Sequence, residues 1–292
     1  MHHPRMSSAA PARPRFRLPS GMRLINTLCS GWTALIFVFL YLPILLLVAY
    51  SFNASDLAVV WAGFTFDWYA KLWHNGPLID ALENSLIIAS ITTLLSVLLG
   101  TSGAWLLHRY RFPMLKTLTT LVFVPMVIPE IIMGVSLLIF FTVLADPLNN
   151  LLAHFTDSEF GLGFATVIIA HTTFCFPFVL VAVQARLADV DPFLEEAALD
   201  LGATPFKAFL LVMVPFLLPA IVSGALMAFT LSMDEYIVTL FTTGPESQTL
   251  TLKVFGMAKK GLDPSLNAIS TVFILATVIL VVLAEMVRKI NR

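Results

Sequence analysis

Long apolar runs separated by short polar segments organise this chain. Runs long enough to cross about 30 Å of hydrocarbon lie near residues 31–52, 81–107, 117–144, 161–184, 216–241 and 266–287. They predict six transmembrane helices in an all-α, polytopic membrane protein. One polar interval differs from the rest: residues 191–215, DPFLEEAALDLGATPFKAFLLVMVP, which are punctuated as two short helices joined at a sharp bend. Asp191 suits a helix cap and Pro192 the first helical position. Gly202 suits a left-handed stop, and Thr204 with Pro205 repeats the cap-plus-proline start. The first helix presents Leu194, Ala197, Ala198 and Leu201 on one face, the second Phe206, Phe209, Leu210 and Met213. Such an object between two spans is suited to touching something outside the bilayer.

Composition agrees with the pattern. The chain is 58% hydrophobic and 12% charged, against about 25% charged in soluble domains. No basic domain stands apart, so no nucleic-acid partner is expected. Cys29 and Cys175 lie in or beside apolar runs and imply no disulfide framework. Residues 1–28 hold Arg5, Arg13, Arg15, Arg17 and Arg23 among prolines and read as a basic cytoplasmic tail. No small-x-small cleavage site follows the first apolar run, so that run is expected to be an uncleaved span. The membrane domain is then 29–292.

Lys/Arg placement predicts the orientation. The tail, the 109–116 loop (Arg109, Arg111, Lys116), the 185–215 segment (Arg186, Lys207) and the C-terminus (Arg288, Lys289, Arg292) hold most of the positive charge. Both termini and the 191–215 insert are therefore expected in the cytoplasm. Lys253, Lys259 and Lys260, on the opposite side, run against this rule. The outer loop 53–79 carries Trp61, Phe64, Phe66, Trp68, Tyr69 and Trp73. These suit an interfacial aromatic belt or a surface for an external partner.

In the insert, Glu196-Ala197-Ala198, then Gly202, then Val212-Met213-Val214-Pro215 resembles the EAA loop of ABC-importer permeases. The valines stand where the family pattern has Ile and Leu. The resemblance implies the type I importer permease fold and makes the insert a coupling helix that docks in a groove of a separate ATPase. It implies coupling roles for Glu195, Glu196, Ala197, Ala198, Asp200, Gly202 and Phe206. No Gly-x-x-x-x-Gly-Lys-Ser/Thr phosphate loop occurs in the sequence. The chain is thus expected to be a non-catalytic subunit without a cofactor of its own, ATP and Mg being bound by the partner. The implied partners are a homologous second permease, two ATPase subunits, an external substrate-binding protein and membrane lipid, in a bacterial inner membrane.

Softer motifs resemble the spermidine/putrescine permease branch: Tyr50-Ser-Phe-Asn53, Trp61-Ala-Gly-Phe64 with Trp68-Tyr69, Asn84-Ser-Leu86, Tyr110-Arg-Phe112, Leu231-Ser-Met-Asp234 and Asn267-Ala268. The cargo so implied is a polyamine, with another small organic solute as the alternative.

Glu130, Asp234 and Glu235 are acids within the predicted spans. An ionised acid near the bilayer centre costs at least about 2.5–3.5 kcal/mol, and such residues face a cavity or a partner. An acidic path suits an organic cation, and Pro125 and Pro129 loosen the helix just before Glu130. Asp234 and Glu235 lie about 100° apart around a helix, so both hardly line one narrow path; Asp234 is the expected lining residue. His171 with Thr172 and Thr173 suits an interhelical hydrogen-bond cluster. An ion-coupled secondary transporter would also explain the acids, but it leaves 191–215 without a purpose.

Overall fold

The computed structural model describes residues 20–55, 60–110, 113–152, 160–191, 193–260 and 264–290. In chain order its helices begin with α1 (Ser20–Tyr50), α2 (Asp67–Trp73) and α3 (Gly76–Arg109). Then follow α4 (Leu115–Val127), α5 (Glu130–Leu152), α6 (Phe164–Leu187) and α7 (Phe193–Asp200). The short α8 (Pro205–Ala208) runs through a π-helical turn, Phe209–Met213, into α9 (Val214–Asp234). The last three are α10 (Ile237–Thr242), α11 (Leu250–Lys260) and α12 (Pro264–Ile290). The all-α expectation holds.

Among the described residues, five helical stretches are long and apolar enough to cross a membrane: Ile25–Tyr50, Gly76–Arg109, Glu130–Asn150, Phe164–Leu187 and Pro205–Asp234. The sixth expected span falls in α12, whose described apolar part, Pro264–Ile279, is shorter. Two expected spans are not single helices. The 117–144 run is divided between α4 and α5, because Pro129 drives the preceding Ile128 into extended backbone (φ −67°, ψ 132°). The 216–241 run is divided at Glu235, also extended (ψ 116°). The expected tail 1–28 is helical from Ser20, since apolar residues take over there; residues 1–19 lie outside the described set.

The chain forms two compact units, residues 66–266 and residues 1–65 with 267–292. In the first, α3, α6 and α9 pack mutually and α10 lies on α5 and α6. Small residues set the closest approach. A Cβ on Gly100 of α3 would stand 2.7 Å from the Val179 Cβ, and one on Gly224 of α9 would stand 3.1 Å from the Val179 Cα. Val179 of α6 is thus held between two glycines, as close helix packing in lipid requires. Around it lie buried Cys175, Leu180, Val183, Leu217 and Ala228.

In the second unit the apolar side chains of α1 remain exposed along the helix, such as Trp32 and Phe39. After α1 the chain folds back in an antiparallel bridge between Asn53 and Phe64. The Asn53 side chain donates to the Val60 carbonyl (2.7 Å) and accepts from the Ala62 amide (2.8 Å). The Phe52 and Phe64 rings stack at 5.2 Å. Of the aromatic loop residues, Trp61 and Phe64 of this unit are exposed; in the unit 66–266, Phe66 and Trp73 are exposed, whereas Trp68 is buried beneath the Lys71 ammonium, 4.1 Å from its ring.

Candidate functional site

Two places concentrate polar chemistry: the pair of helix breaks and the α7–α8 element.

Glu130 opens α5 and is exposed. Its carboxylate stands in the first helical turn, where the helix dipole favours negative charge. Asp234 closes α9 and is also exposed. There the dipole disfavours an acid, so helix stability does not account for Asp234. Glu235 is buried, 6% exposed, and its Oε1 accepts the Val238 amide N–H at 2.9 Å. It therefore caps the start of α10. Both Glu130 and Asp234 interact electrostatically with Glu235. The two breaks are also linked by packing: a Cβ on Gly134 of α5 would stand 2.7 Å from the Phe241 ring and 3.5 Å from the Ile237 carbonyl of α10. The fold thus brings the three predicted acids into one region, with two open and one turned inward.

Hydrogen bonds hold this region in shape. His171 on α6 bonds Ser232 on α9 through Nδ1 and Thr239 on α10 through Nε2, each at 2.8 Å. The Thr239 hydroxyl donates to the Glu235 carbonyl (2.9 Å), so it accepts from the Nε2–H and leaves Nδ1 to accept from Ser232. The expected interhelical role is correct for His171. Thr173 instead bonds within its own helix, to the Ile169 carbonyl. The Thr166 hydroxyl donates to the Thr242 carbonyl at 2.7 Å, and that of Thr251 to the Met233 carbonyl at 2.7 Å. Asn84 on α3 donates to the carbonyls of Glu246 (3.0 Å) and Gln248 (3.1 Å), and Ser85 accepts the Leu250 amide (2.8 Å). Nothing in the periodicity of α3 announced that clamp.

The second place matches its punctuation. Asp191 Oδ1 accepts the Phe193 amide (3.0 Å) and Thr204 Oγ1 the Lys207 amide (3.3 Å); Pro192 lies outside the described residues. Gly202 has φ +89°, a left-handed value that glycine takes without cost. The Gly202 amide bonds the Leu199 carbonyl and the Ala203 amide the Ala198 carbonyl, the paired bonds of a Schellman stop. The second short helix is not separate. It runs on through the π-helical turn into α9, the turn lying just before Pro215, which has no N–H to give to a regular helical bond.

Phe193, Leu201, Phe206 and Leu211 lie open, Leu201 at 90% exposure, while Ala208 and Met213 are buried in the bundle. Glu196, Ala197, Asp200 and Gly202 are exposed and Ala198 is half-buried. Glu195 is engaged within the chain: its Oε1 accepts from Arg109 Nε of α3 at 2.9 Å. Beside this pair the Phe209 and Trp105 rings meet at 4.6 Å. The sequence motif did not disclose the Arg109 partner, because the two residues are far apart in the chain and no local period links them.

Comparison with known proteins completes the description. The chain is 36% identical over 260 residues to the spermidine/putrescine transport system permease protein PotC of Escherichia coli K12, covering 89% of this chain and 93% of that one. It is 39% identical over 250 residues to the putrescine transport system permease protein PotI of the same organism, covering 84% and 86%. A solved bacterial alginate ABC transporter, in complex with an alginate pentasaccharide-bound periplasmic protein, contains a chain of the same fold. Its TM-score is 0.73 at 16% identity, covering 92% of this chain and 95% of that one. An amino acid ABC transporter solved with histidines matches with a TM-score of 0.52 at 19% identity, covering 77% and 99%. The family model for the binding-protein-dependent transport system inner membrane component matches residues 96–291. The chain therefore belongs to that family and is a multi-span permease subunit of an ABC transporter.

Proposed function

We propose that this chain forms the translocation path of an ATP-driven importer of polyamines, spermidine or putrescine, and couples it to a separate ATPase. The observation that carries the reading is the grouping of Glu130, Asp234 and Glu235 at two helix breaks. The relatives named for spermidine and putrescine support the cargo class. The end of α9 is electronegative by construction, since its last carbonyls and Asp234 face the same break. An ammonium group bonds well to a carboxylate with carbonyls beside it. A polyamine carries several such groups on a flexible chain, so Glu130 and Asp234 can hold successive ammoniums. Glu235 keeps the break open by capping α10.

The α7–α8 element is the coupling helix in this reading. Exposed Glu196 offers a carboxylate to a basic partner. Phe193, Leu201 and Phe206 offer apolar surface to bury, and the Gly202 stop sets their angle. ATP and Mg are bound by the two ATPase subunits and not by this chain. An external binding protein delivers the cation, a homologous permease completes the path, and both termini of this chain face the cytoplasm.

The test is uptake of labelled spermidine and putrescine by the assembled complex in proteoliposomes. Glu130→Gln and Asp234→Asn are each expected to lower uptake while leaving the amount of assembled complex unchanged. Unchanged uptake kinetics in both variants would remove the acidic path.

A further inference from the structure

The α3 helix spans about 50 Å at 1.5 Å per residue, and it is gripped at both ends by segments that matter to the proposed cycle. At one end Asn84 and Ser85 hold the backbone of 246–250, which follows the acidic break and α10. At the other, Arg109 is paired with Glu195 of α7, and Trp105 packs against Phe209 of the π-helical turn. Between the two ends Gly100 is pressed onto Val179 of α6. We propose that Arg109 is a positioning residue for coupling: its ion pair with Glu195 fastens α7 to α3, making α3 the strut that carries displacement of α7 to the 246–250 segment.

The chemistry fits this role. Glu195 is 13% exposed while Arg109 remains 43% exposed. The carboxylate is therefore shielded on α7 and the guanidinium reaches it from solvent. The contact is directional, since guanidinium and carboxylate are planar groups with fixed donor and acceptor directions. It is also made by the residue next to Glu196, so the open carboxylate and the inward one divide their tasks. Glu196 faces the partner and Glu195 faces α3. Trp105 adds an aromatic contact one helical turn before Arg109, so two adjacent points of α3 hold α7 and the turn after α8. Two points of attachment transmit rotation as well as translation.

The inference rests on the coupling role proposed for α7. It is tested on the complete transporter in proteoliposomes, with ATP hydrolysis and labelled putrescine uptake measured on the same sample. Arg109→Glu and Glu195→Arg are each expected to raise the ATP consumed per solute imported by about two- to fivefold, the range a partly exposed ion pair supports. The double charge reversal is expected to return the ratio close to that of the unsubstituted protein. A merely structural residue would change the yield of complex and not this ratio. Arg109→Gln is read in the same way if the reversal lowers assembly. The proposal is overturned if the single variants keep the normal ratio, or if the double reversal stays as poorly coupled as the singles. Gly202→Asp in the same preparation separates the two levels. If it leaves uptake and hydrolysis coupled, the coupling role of α7 fails and the strut falls with it. If it uncouples them while Arg109→Glu does not, only the strut fails.

Discussion

At the residue scale, neighbouring acids divide their labour by exposure. Asp234 and Glu235 are adjacent, yet the first is open at the end of α9 and the second is buried as the cap of α10. Their substitutions should therefore separate. Glu235→Ala removes the acceptor for the Val238 amide and is expected to cost about 0.5–2 kcal/mol, as the loss of a cap does. It should appear as a lower Tm in detergent. Asp234→Asn removes an acid that the α9 dipole disfavours, so it should not lower Tm and should act on uptake. Glu195 and Glu196 divide in the same way, one paired with Arg109 and one exposed. Periodicity could place Glu195 and Glu196 about 100° apart around a helix, but it could not say which would find a partner; for Asp234 and Glu235 the helical relation does not hold, because α9 ends between them.

At the element scale, helix ends and helix crossings were legible to different degrees. The caps at Asp191 and Thr204 and the left-handed Gly202 were readable because capping depends on a few adjacent residues. The break at Pro129 was announced by proline chemistry, although the apolar run across it reads as one span. The continuity of α8 into α9 was hidden by its proline start, which suits a new helix and a bent entry equally well. Crossings were not legible, since Gly100, Val179 and Gly224 lie on three helices that only packing brings together. Gly100→Val should force α3 away from α6, because even a Cβ there meets Val179. Its expected cost is about 1–3 kcal/mol, typical of overpacking, and a thermal melt of the purified chain would measure it. The soft family motifs gain a structural meaning at this scale. Asn53 ties its loop, Asn84 and Ser85 clamp 246–250, and Ser232 donates to His171.

At the scale of the whole molecule, the α7–α8 element and the acidic breaks belong to one compact unit, residues 66–266. Gly202→Asp should insert normally, and the complex that carries it should assemble with the ATPase subunits proposed above yet hydrolyse ATP without import. An aspartate adopts the left-handed backbone less readily than glycine and adds charge to an exposed surface of the element. Parallel measurement of hydrolysis and uptake checks this.

The sequence by itself determined the helical membrane class, the punctuated 191–215 element and the identity of the three acids. Each depends on residue type and short-range spacing, which the chain carries openly. The tertiary structure alone decided that Glu130, Asp234 and Glu235 share one region, that Glu235 turns inward, and that Arg109 reaches Glu195. These depend on which helix faces meet. In a chain whose helices are apolar nearly all round, hydrophobic periodicity leaves that choice open. Small residues and buried hydrogen bonds make it instead.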